Sequence, residues 1–421
     1  MQGSERVHEE VGHLFRHEAG RMAAVLTRLL GVQAWEEAED IVQDTLLQAL
    51  SSWKLKGMPD NPSAWLYTVA RRKAVDKLRQ RRMQEEHHAV IGHALHSEYT
   101  LSPAVQQLFL DNEIEDSQLR MMFACCHPAI AYEAQLALIL KTLCGLSIGE
   151  IAHSFRTNDE TIGKRLYRAR EKIREEKIEL EVPPPTALPA RLEAVLHAIY
   201  LLFNEGYHSA HPDKLIRHEL CAEAIRLALL LLKNPLTALP VVYALLALMC
   251  FHASREEART AEDGSMVLLK EQDRSRWNHA LIKKAEYFLE ASATGDEISA
   301  YHVEASIASC HAGAATFEET AWDRIVQLYN VLETIKPGPI VALNRAIAIG
   351  HASTPMAGID ALEAIPDMND DYLCLSALGD FYAAGREYAD ARSSYERALQ
   401  NVPTTAGRAL LQRKLAALPL D

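Results

Sequence analysis

The chain lacks the spacings that metal and redox chemistry use. Its seven cysteines include no Cys-x-x-Cys pair, and an odd number spread over 421 residues predicts no disulfide framework. No glycine-rich phosphate loop, nucleophile elbow or paired-carboxylate signature occurs, so no enzyme activity, cofactor or metal is expected. Aromatic residues make up only 7% and β-branched runs are rare, while Ala and Leu dominate, which predicts an all-α protein. A positive charge balance is missing too. The net charge of −13 and a pI near 5.8 exclude indiscriminate coating of nucleic acid. The start, MQGSERVHEE, is polar and acidic and predicts no signal peptide. One uncharged stretch, 234–254, has the length of a membrane span. It contains Pro235, Pro240 and His252 between amphipathic neighbours, and reads as a buried core helix. A soluble, cytoplasmic chain of two or three domains with no membrane partner is expected.

What is present is sharply patterned charge. Residues 1–182 carry 23 Lys+Arg against 27 Asp+Glu, in alternating blocks. An amphipathic helix is predicted over 8–31, ending near Gly31, and a second over 35–50. The second has Ile41, Val42, Leu46 and Ala49 on one side and Glu36, Glu39, Asp40, Gln43 and Asp44 on the other. A loop with Gly57 and Pro59 is predicted over 51–60. Asn61 then offers an N-cap, Pro62 suits the first helical position, and a helix runs to about Arg82 with net charge +6. Leu66, Ala70, Ala74 and Leu78 form its buried seam. Residues 83–116 hold seven acids, no Lys or Arg, and His87, His88, His93 and His96, and read as an acidic linker.

Helical patterning returns over 117–180. In CGLSIGEIAHSFRTNDETIGKRLYRAREKIREE, Ser147 caps a short helix bearing Ile148, Ile151 and Ala152. A turn at 156–159 leads to a second helix with Ile162, Leu166, Ala169 and Ile173 inward, and residues 163–174 carry a net charge of +5. Two short helices, a tight turn and a basic second helix make a helix-turn-helix. EVPPPTALP (181–189) is a stiff linker. Beyond it, 190–421 reads as about ten stacked helices. Near the end, LGDFYAAGREYADARSSYERALQNVP follows the tetratricopeptide (TPR) pattern, with Gly385 one place early.

A basic helix with aromatics at its head suits strand-separated DNA: bases stack on rings while Arg and Lys hold phosphates. A second basic helix in a helix-turn-helix suits a major groove. In order, EEAEDIVQDTLLQAL, NPSAWLYTVARRKAVDKLRQRR and GLSIGEIAHSFRTNDETIGKRLYRAREKI resemble regions 2.2, 2.3–2.4 and 4 of extracytoplasmic-function sigma factors. The stretches MMFACCHPAI, YLLFNEGY, EQDRSRWN and LNRAIAI resemble the subgroup with a long TPR-containing C-terminal extension. The resemblance implies two small helical sigma domains, region 2 over 1–82 and region 4 over 117–180, plus a TPR-like extension over 190–421.

Core RNA polymerase, through its clamp helices and flap, and promoter DNA are the implied partners, with a protein or ligand partner for the extension. Glu39, Asp40, Gln43 and Asp44 would meet the clamp helices. Trp53, Trp65, Arg71, Arg72, Lys73, Lys77 and Arg79 would serve the −10 element, and Glu160, Thr161, Lys164, Arg165 and Arg168 the −35 element. The acidic linker would occupy the path of nascent RNA. Arg72 stands where many members carry Asn, and FRTNDETIGKRL departs from the commoner LGIS…TVKSR form, so no promoter sequence transfers.

The remaining constellations read as structural. Cys125, Cys126 and His127 are adjacent, a poor metal spacing, and are expected in the core. The linker histidines are expected to be plain polar linker. Asp263, Asp273, Arg274, Arg276 and Trp277 are expected to form a polar network between helices, with a small-molecule or polymerase contact as the other reading. Two other functions compete with a sigma factor: a helix-turn-helix regulator with a TPR-like sensor that binds duplex DNA without polymerase, and a helical scaffold that binds only proteins.

Overall fold

The computed structural model describes residues 2–88, 105–209, 216–261 and 265–419, with the backbone alone for 2–10, 13 and 82–88. The side chains of Glu85, Glu86, His87, His88, His93, His96, Glu98 and Asp263 lie outside the described residues. The fold is all-α, and an isolated bridge between Thr260 and Met266 is the one extended pairing among the described residues. No described helix is long and apolar enough to cross a membrane, and 234–254 contributes a core helix, Pro240–Ala253. The chain divides into two compact units: 1–210 with 217–237, and 211–216 with 238–421.

The first unit is built on α1 (Gln2–Leu30), which ends where Gly31 takes a φ of 86°. Two helices lie against it, α2 (Trp35–Lys56) and α3 (Pro62–His88). Met22, Leu26, Ala38, Val42, Ala49, Leu66, Ala70 and Ala74 fill the space between them. The expected caps are in place at Asn61, whose Oδ1 accepts from Ala64 N at 2.9 Å. Glu18 is buried at the α1–α3 contact, accepting from Ser63 Oγ at 3.0 Å and from the Tyr67 hydroxyl. Burial raises its pKa, but hydrogen bonds from His17 and Tyr67 and the charge of Arg21 outweigh that and leave it below its ordinary value.

Helix α2 is longer than the sequence suggests. Ala38, Ile41, Thr45, Ala49 and Trp53 continue one buried seam at i+3/i+4 spacing, and nothing breaks the helix before Gly57, at φ 82°. The connection to α3 therefore shrinks to 57–61. The acidic linker also ends early, because α4 (Asp111–Cys125) begins inside it and packs on α1. Its acids are engaged: Glu113 and Asp116 meet Arg28 at 3.1 and 2.9 Å, and Glu115 meets Lys233 at 2.6 Å. Cys125 and Cys126 are buried in this region, as expected of core residues.

Helices α5 (Tyr132–Thr142), α6 (Ile148–Ser154) and α7 (Asp159–Glu175) follow, then α8 (Leu188–Tyr207) and α9 (His218–Leu232). The Pro-rich stretch 181–189 does not end this unit. Helix α8 packs on α5, and α9 packs on α8. Arg217, 5% exposed, meets Glu150 at the head of α6 and Glu219 at 3.2 Å.

The second unit holds α10 (Pro240–Ala253), α11 (His279–Ser292), α12 (Ala300–Gly313), α13 (Trp322–Ile335) and α14 (Pro339–Ala352). It continues with α15 (Pro355–Glu363), α16 (Tyr372–Ala384), α17 (Tyr388–Asn401) and α18 (Thr405–Ala416). Neighbours in sequence pack on one another, as in a helical stack. Helices α16 and α17 approach closely at Gly379, where an added Cβ would sit 2.4 Å from the Tyr395 ring. The turn between them explains the displaced glycine: Gly385 is ordinary helix at φ −75°, and Arg386 takes the left-handed position at φ 66°.

Two substitutions separate these effects by denaturant unfolding. Gly379→Ala should destabilise the second unit by about 1–3 kcal/mol through overpacking. Arg386→Gly should stabilise it by up to about 1 kcal/mol by removing the left-handed penalty.

Candidate nucleic-acid interface

Helix α3 presents its charge unevenly. Arg72 is exposed and Arg71 half-buried, and neither makes an ion pair with a described residue. The other cations are held by acids. Lys73 lies 3.6 Å from Asp44, Lys77 3.1 Å from Glu37, and Arg79 3.6 Å from Asp76. Arg81 donates to Glu37 at 2.8 Å and to the Leu30 carbonyl at 3.1 Å. The Arg81 hydrogen bond, against a smaller burial effect, holds the Glu37 carboxyl below its ordinary range, with help from Lys77.

The aromatics divide. Trp53, expected at the DNA, is 8% exposed and sits between Phe15 and Trp65, with ring centroids 5.5 Å from each. Its place on the extended α2 seam makes it a core residue, unavailable for stacking on a base in this conformation. Trp65 is half-buried at the head of α3.

Helices α6 and α7 are separately capped and joined by a tight turn. Ser147 and Glu150 form a capping box on α6, with Glu150 N to Ser147 Oγ at 3.2 Å and Ser147 N to Glu150 Oε2 at 2.6 Å. Arg156 makes the turn at φ 50°, and Asn158 caps α7 by accepting from Thr161 N at 2.9 Å. Ile162, Leu166, Ala169 and Ile173 are buried, as the pattern predicts. Glu160, Lys164 and Arg168 are exposed, and Tyr167, which sequence reasoning passed over, is 63% exposed beside them. Lys164 pairs with Glu160 at 2.6 Å. Arg165 is instead tied to Glu133 and lies 5.7 Å from the Phe155 ring centre.

The last turns of α7 reach the acidic side of α2. Arg170 Nη2 donates to both oxygens of Glu39 at 2.8 Å, and Arg174 lies 3.4 Å from Glu36. Gln33 Nε2 donates to the Arg174 carbonyl at 3.4 Å, and the buried Trp35 donates Nε1 to Glu39 at 3.1 Å. Of the four residues expected to meet polymerase, Glu39 and Asp44 are thus occupied internally, while Asp40 and Gln43 are exposed and make no ion pair with described residues. Leu47 and Leu50, 61% and 49% exposed, continue the Asp40–Gln43 face along α2. Their i+4 and i+7 spacing from Gln43 is the signal that could have found them.

Two predictions follow from these pairs. A double-mutant cycle with Glu39→Gln and Arg170→Gln should give a coupling of about 1 kcal/mol. The Glu37 carboxyl, lowered in the fold, contributes stability above its ordinary pKa of 4.5 and loses it as pH falls through the lower folded value. The stability advantage of the wild type over Glu37→Gln should therefore shrink on acidification from about pH 6 to about pH 3.5.

Comparisons with known proteins add three findings. The model of sigma-70 region 2 matches residues 14–83, which span α1 to α3. A family of unknown function, DUF6596, matches residues 191–293. An uncharacterized protein of Rhizobium meliloti (strain 1021), R00370, is 32% identical over 387 residues, covering 91% of this chain and 90% of its own length. No solved structure matches.

Proposed function

This chain belongs to one family with the Rhizobium meliloti protein and carries a sigma-70 region 2, a sigma-factor-like part in transcription initiation, and on that premise we propose that it is an extracytoplasmic-function-type sigma factor. Region 2 engages core polymerase through α2 and the −10 element through α3. Helix α7 reads the −35 element, and the TPR-like C-terminal helices regulate or support both. The observation that carries this reading is the pair of separate cationic surfaces in a chain of net charge −13. Arg72 on α3 and Arg168 on α7 are exposed and make no ion pair with a described residue, with half-buried Arg71 and the Glu160-paired Lys164 beside them. The family-model match at region 2 supports polymerase as the partner that brings the two surfaces to DNA.

The Arg170–Glu39 bond gives the free protein a closed form. Glu39 cannot serve α7 and the polymerase together, so binding to core exchanges one partner for the other. The bond then raises the cost of engaging polymerase rather than the affinity for it.

Run-off transcription from a genomic library with core polymerase and the full chain, read by sequencing 5′ ends, should give chain-dependent transcripts sharing two upstream boxes. Arg71→Ala with Arg72→Ala should reduce them about tenfold. Arg168→Ala should lower the log–log salt slope of promoter binding by about 0.9. Arg170→Gln should tighten core binding, and Glu39→Gln should weaken it. Absence of chain-dependent transcripts together with tight duplex binding in the absence of core would replace this reading with that of an ordinary regulator.

A further inference from the structure

The segment joining α10 to α11 is folded tightly and is not consumed by the function above. It turns through short helical pieces at Glu256–Ala258, Leu269–Glu271 and Arg274–Arg276. Asp273 caps the last of these, accepting from Ser275 N at 2.9 Å. Trp277, 3% exposed, lies beneath two guanidinium groups: Arg274 is 4.6 Å and Arg255 5.8 Å from its ring centre. Arg274 Nη1 spans to the end of α12, donating to the carbonyls of His311 at 2.6 Å and Ala314 at 2.7 Å.

That helix end uses one nitrogen only. Arg274 Nη2, Trp277 Nε1 and His311 Nδ1 are all buried without a hydrogen-bond partner. Buried polar atoms are ordinarily paired, and each orphan costs free energy. Here at least two of the three are donors, and Arg274 links them by lying on the indole and bonding the His311 carbonyl. The surroundings are cationic as well. Burial, then Arg255, Arg274 and His351, push the His311 pKa down to about 3, and burial followed by Arg255 lowers that of Arg274. Of the acids that favour these cations, Glu318 acts on Arg274, and Asp380, which acts on His351, is already bonded to Lys414 at 2.7 Å.

Beside these orphans stands an aromatic wall. The His351 ring stacks on Trp322 with centroids 4.5 Å apart and planes 29° apart. Phe317 meets both edge-on at 5.1 Å, and His311 meets Trp322 at 5.3 Å. His351 is exposed, so the wall opens to solvent.

We propose that this cluster binds a small organic carboxylate with a flat apolar body, its carboxylate on Arg274 and its body against the Trp322–His351 stack. A carboxylate supplies the acceptor that Arg274 Nη2 lacks while Nη1 stays on the two carbonyls. The exposed part of the His351 ring offers the flat body an aromatic surface that the Trp322 stack holds in place. This site stands apart from the sigma-factor reading and does not rest on it.

The test uses the full chain, with tryptophan fluorescence and thermal shift as readouts. Benzoate is the probe, benzamide its uncharged counterpart, and inorganic phosphate a compact anion. Benzoate should quench fluorescence saturably below about 10 mM, with little response to benzamide or phosphate. Arg274→Gln should abolish the response and His351→Ala weaken it several-fold. Because Arg274 also caps α12, Arg255→Gln provides a second charge deletion that leaves the cap intact, and it should weaken benzoate binding at least several-fold. Equal responses to benzoate and benzamide, equal binding of phosphate, no saturable response, or wild-type binding by folded Arg255→Gln and His351→Ala would each overturn the proposal.

Discussion

The charge-assisted bond between Arg170 and Glu39 joins two elements 131 residues apart in sequence. It brings the basic end of α7 to the acidic side of α2 inside one compact unit. One guanidinium nitrogen, Nη2, is shared between both carboxylate oxygens at 2.8 Å, a charge-assisted bond with each side chain 22% exposed. Around it the same logic repeats with weaker pairs: Arg174 with Glu36, Lys77 and Arg81 with Glu37, Lys73 with Asp44. Helix α2 is therefore an acidic spine read from two sides, by α7 on one and α3 on the other. Surface pairs of this kind each contribute little and are screened by salt. Their collective effect is to draw Lys73, Lys77, Arg81, Arg170 and Arg174 toward α2, while Arg71, Arg72 and Arg168 of the same two helices make no ion pair with a described residue.

This arrangement gives the chain's charge imbalance a physical meaning. A polyanion meets a surface from which most of the basic helices' charge has been withdrawn into internal pairs. What is left is two small patches rather than a continuous positive field. Under the proposed function, a polymerase surface of Arg and Lys would compete for the acids of α2, and coupling of DNA binding to polymerase binding would need only the exchange of Glu39 between two cationic partners.

Local features were legible in the sequence because they depend on local physics. The caps at Asn61 and Ser147, the Ile162–Leu166–Ala169–Ile173 seam and the all-α class all follow from spacing and side-chain chemistry. Errors arose where the reading stopped short of a continuing pattern. Trp53 falls inside the loop expected over 51–60, yet it extends the α2 seam by one more i+4 step. The early start of α4 was hidden because Asp111, Glu113 and Asp116 look like linker, although acids in a first turn suit a helix N-terminus. The pairs of Arg170 with Glu39 and Arg217 with Glu150 could not be read at all, since no periodicity encodes a partner so far along the chain.

The Arg217 contact carries the argument beyond region 2. Glu150 serves three groups: it closes the capping box of α6, lies 3.9 Å from Arg16 of α1, and pairs with the buried Arg217 ahead of α9. A carboxylate so shared cannot lose one partner without altering the others. Glu205 of α8 extends the same contact, with Ser154 Oγ at 3.4 Å and His153 Nδ1 at 3.6 Å at the far end of α6. Both ends of α6 are therefore held by Glu205 and Arg217, inside the segment matched by the family of unknown function. Those residues cannot be a passive appendage. Removing the chain beyond 182 would take away Glu205 and Arg217 together, leaving the buried faces of α5 and α6 uncovered and the α6 cap partly undone. Loss of activity in such a truncation would follow from the collapse of α6 and α7 as readily as from the loss of a regulator. A cut after 237 keeps the first unit whole, and it is the one whose effect would report on the remaining helices alone.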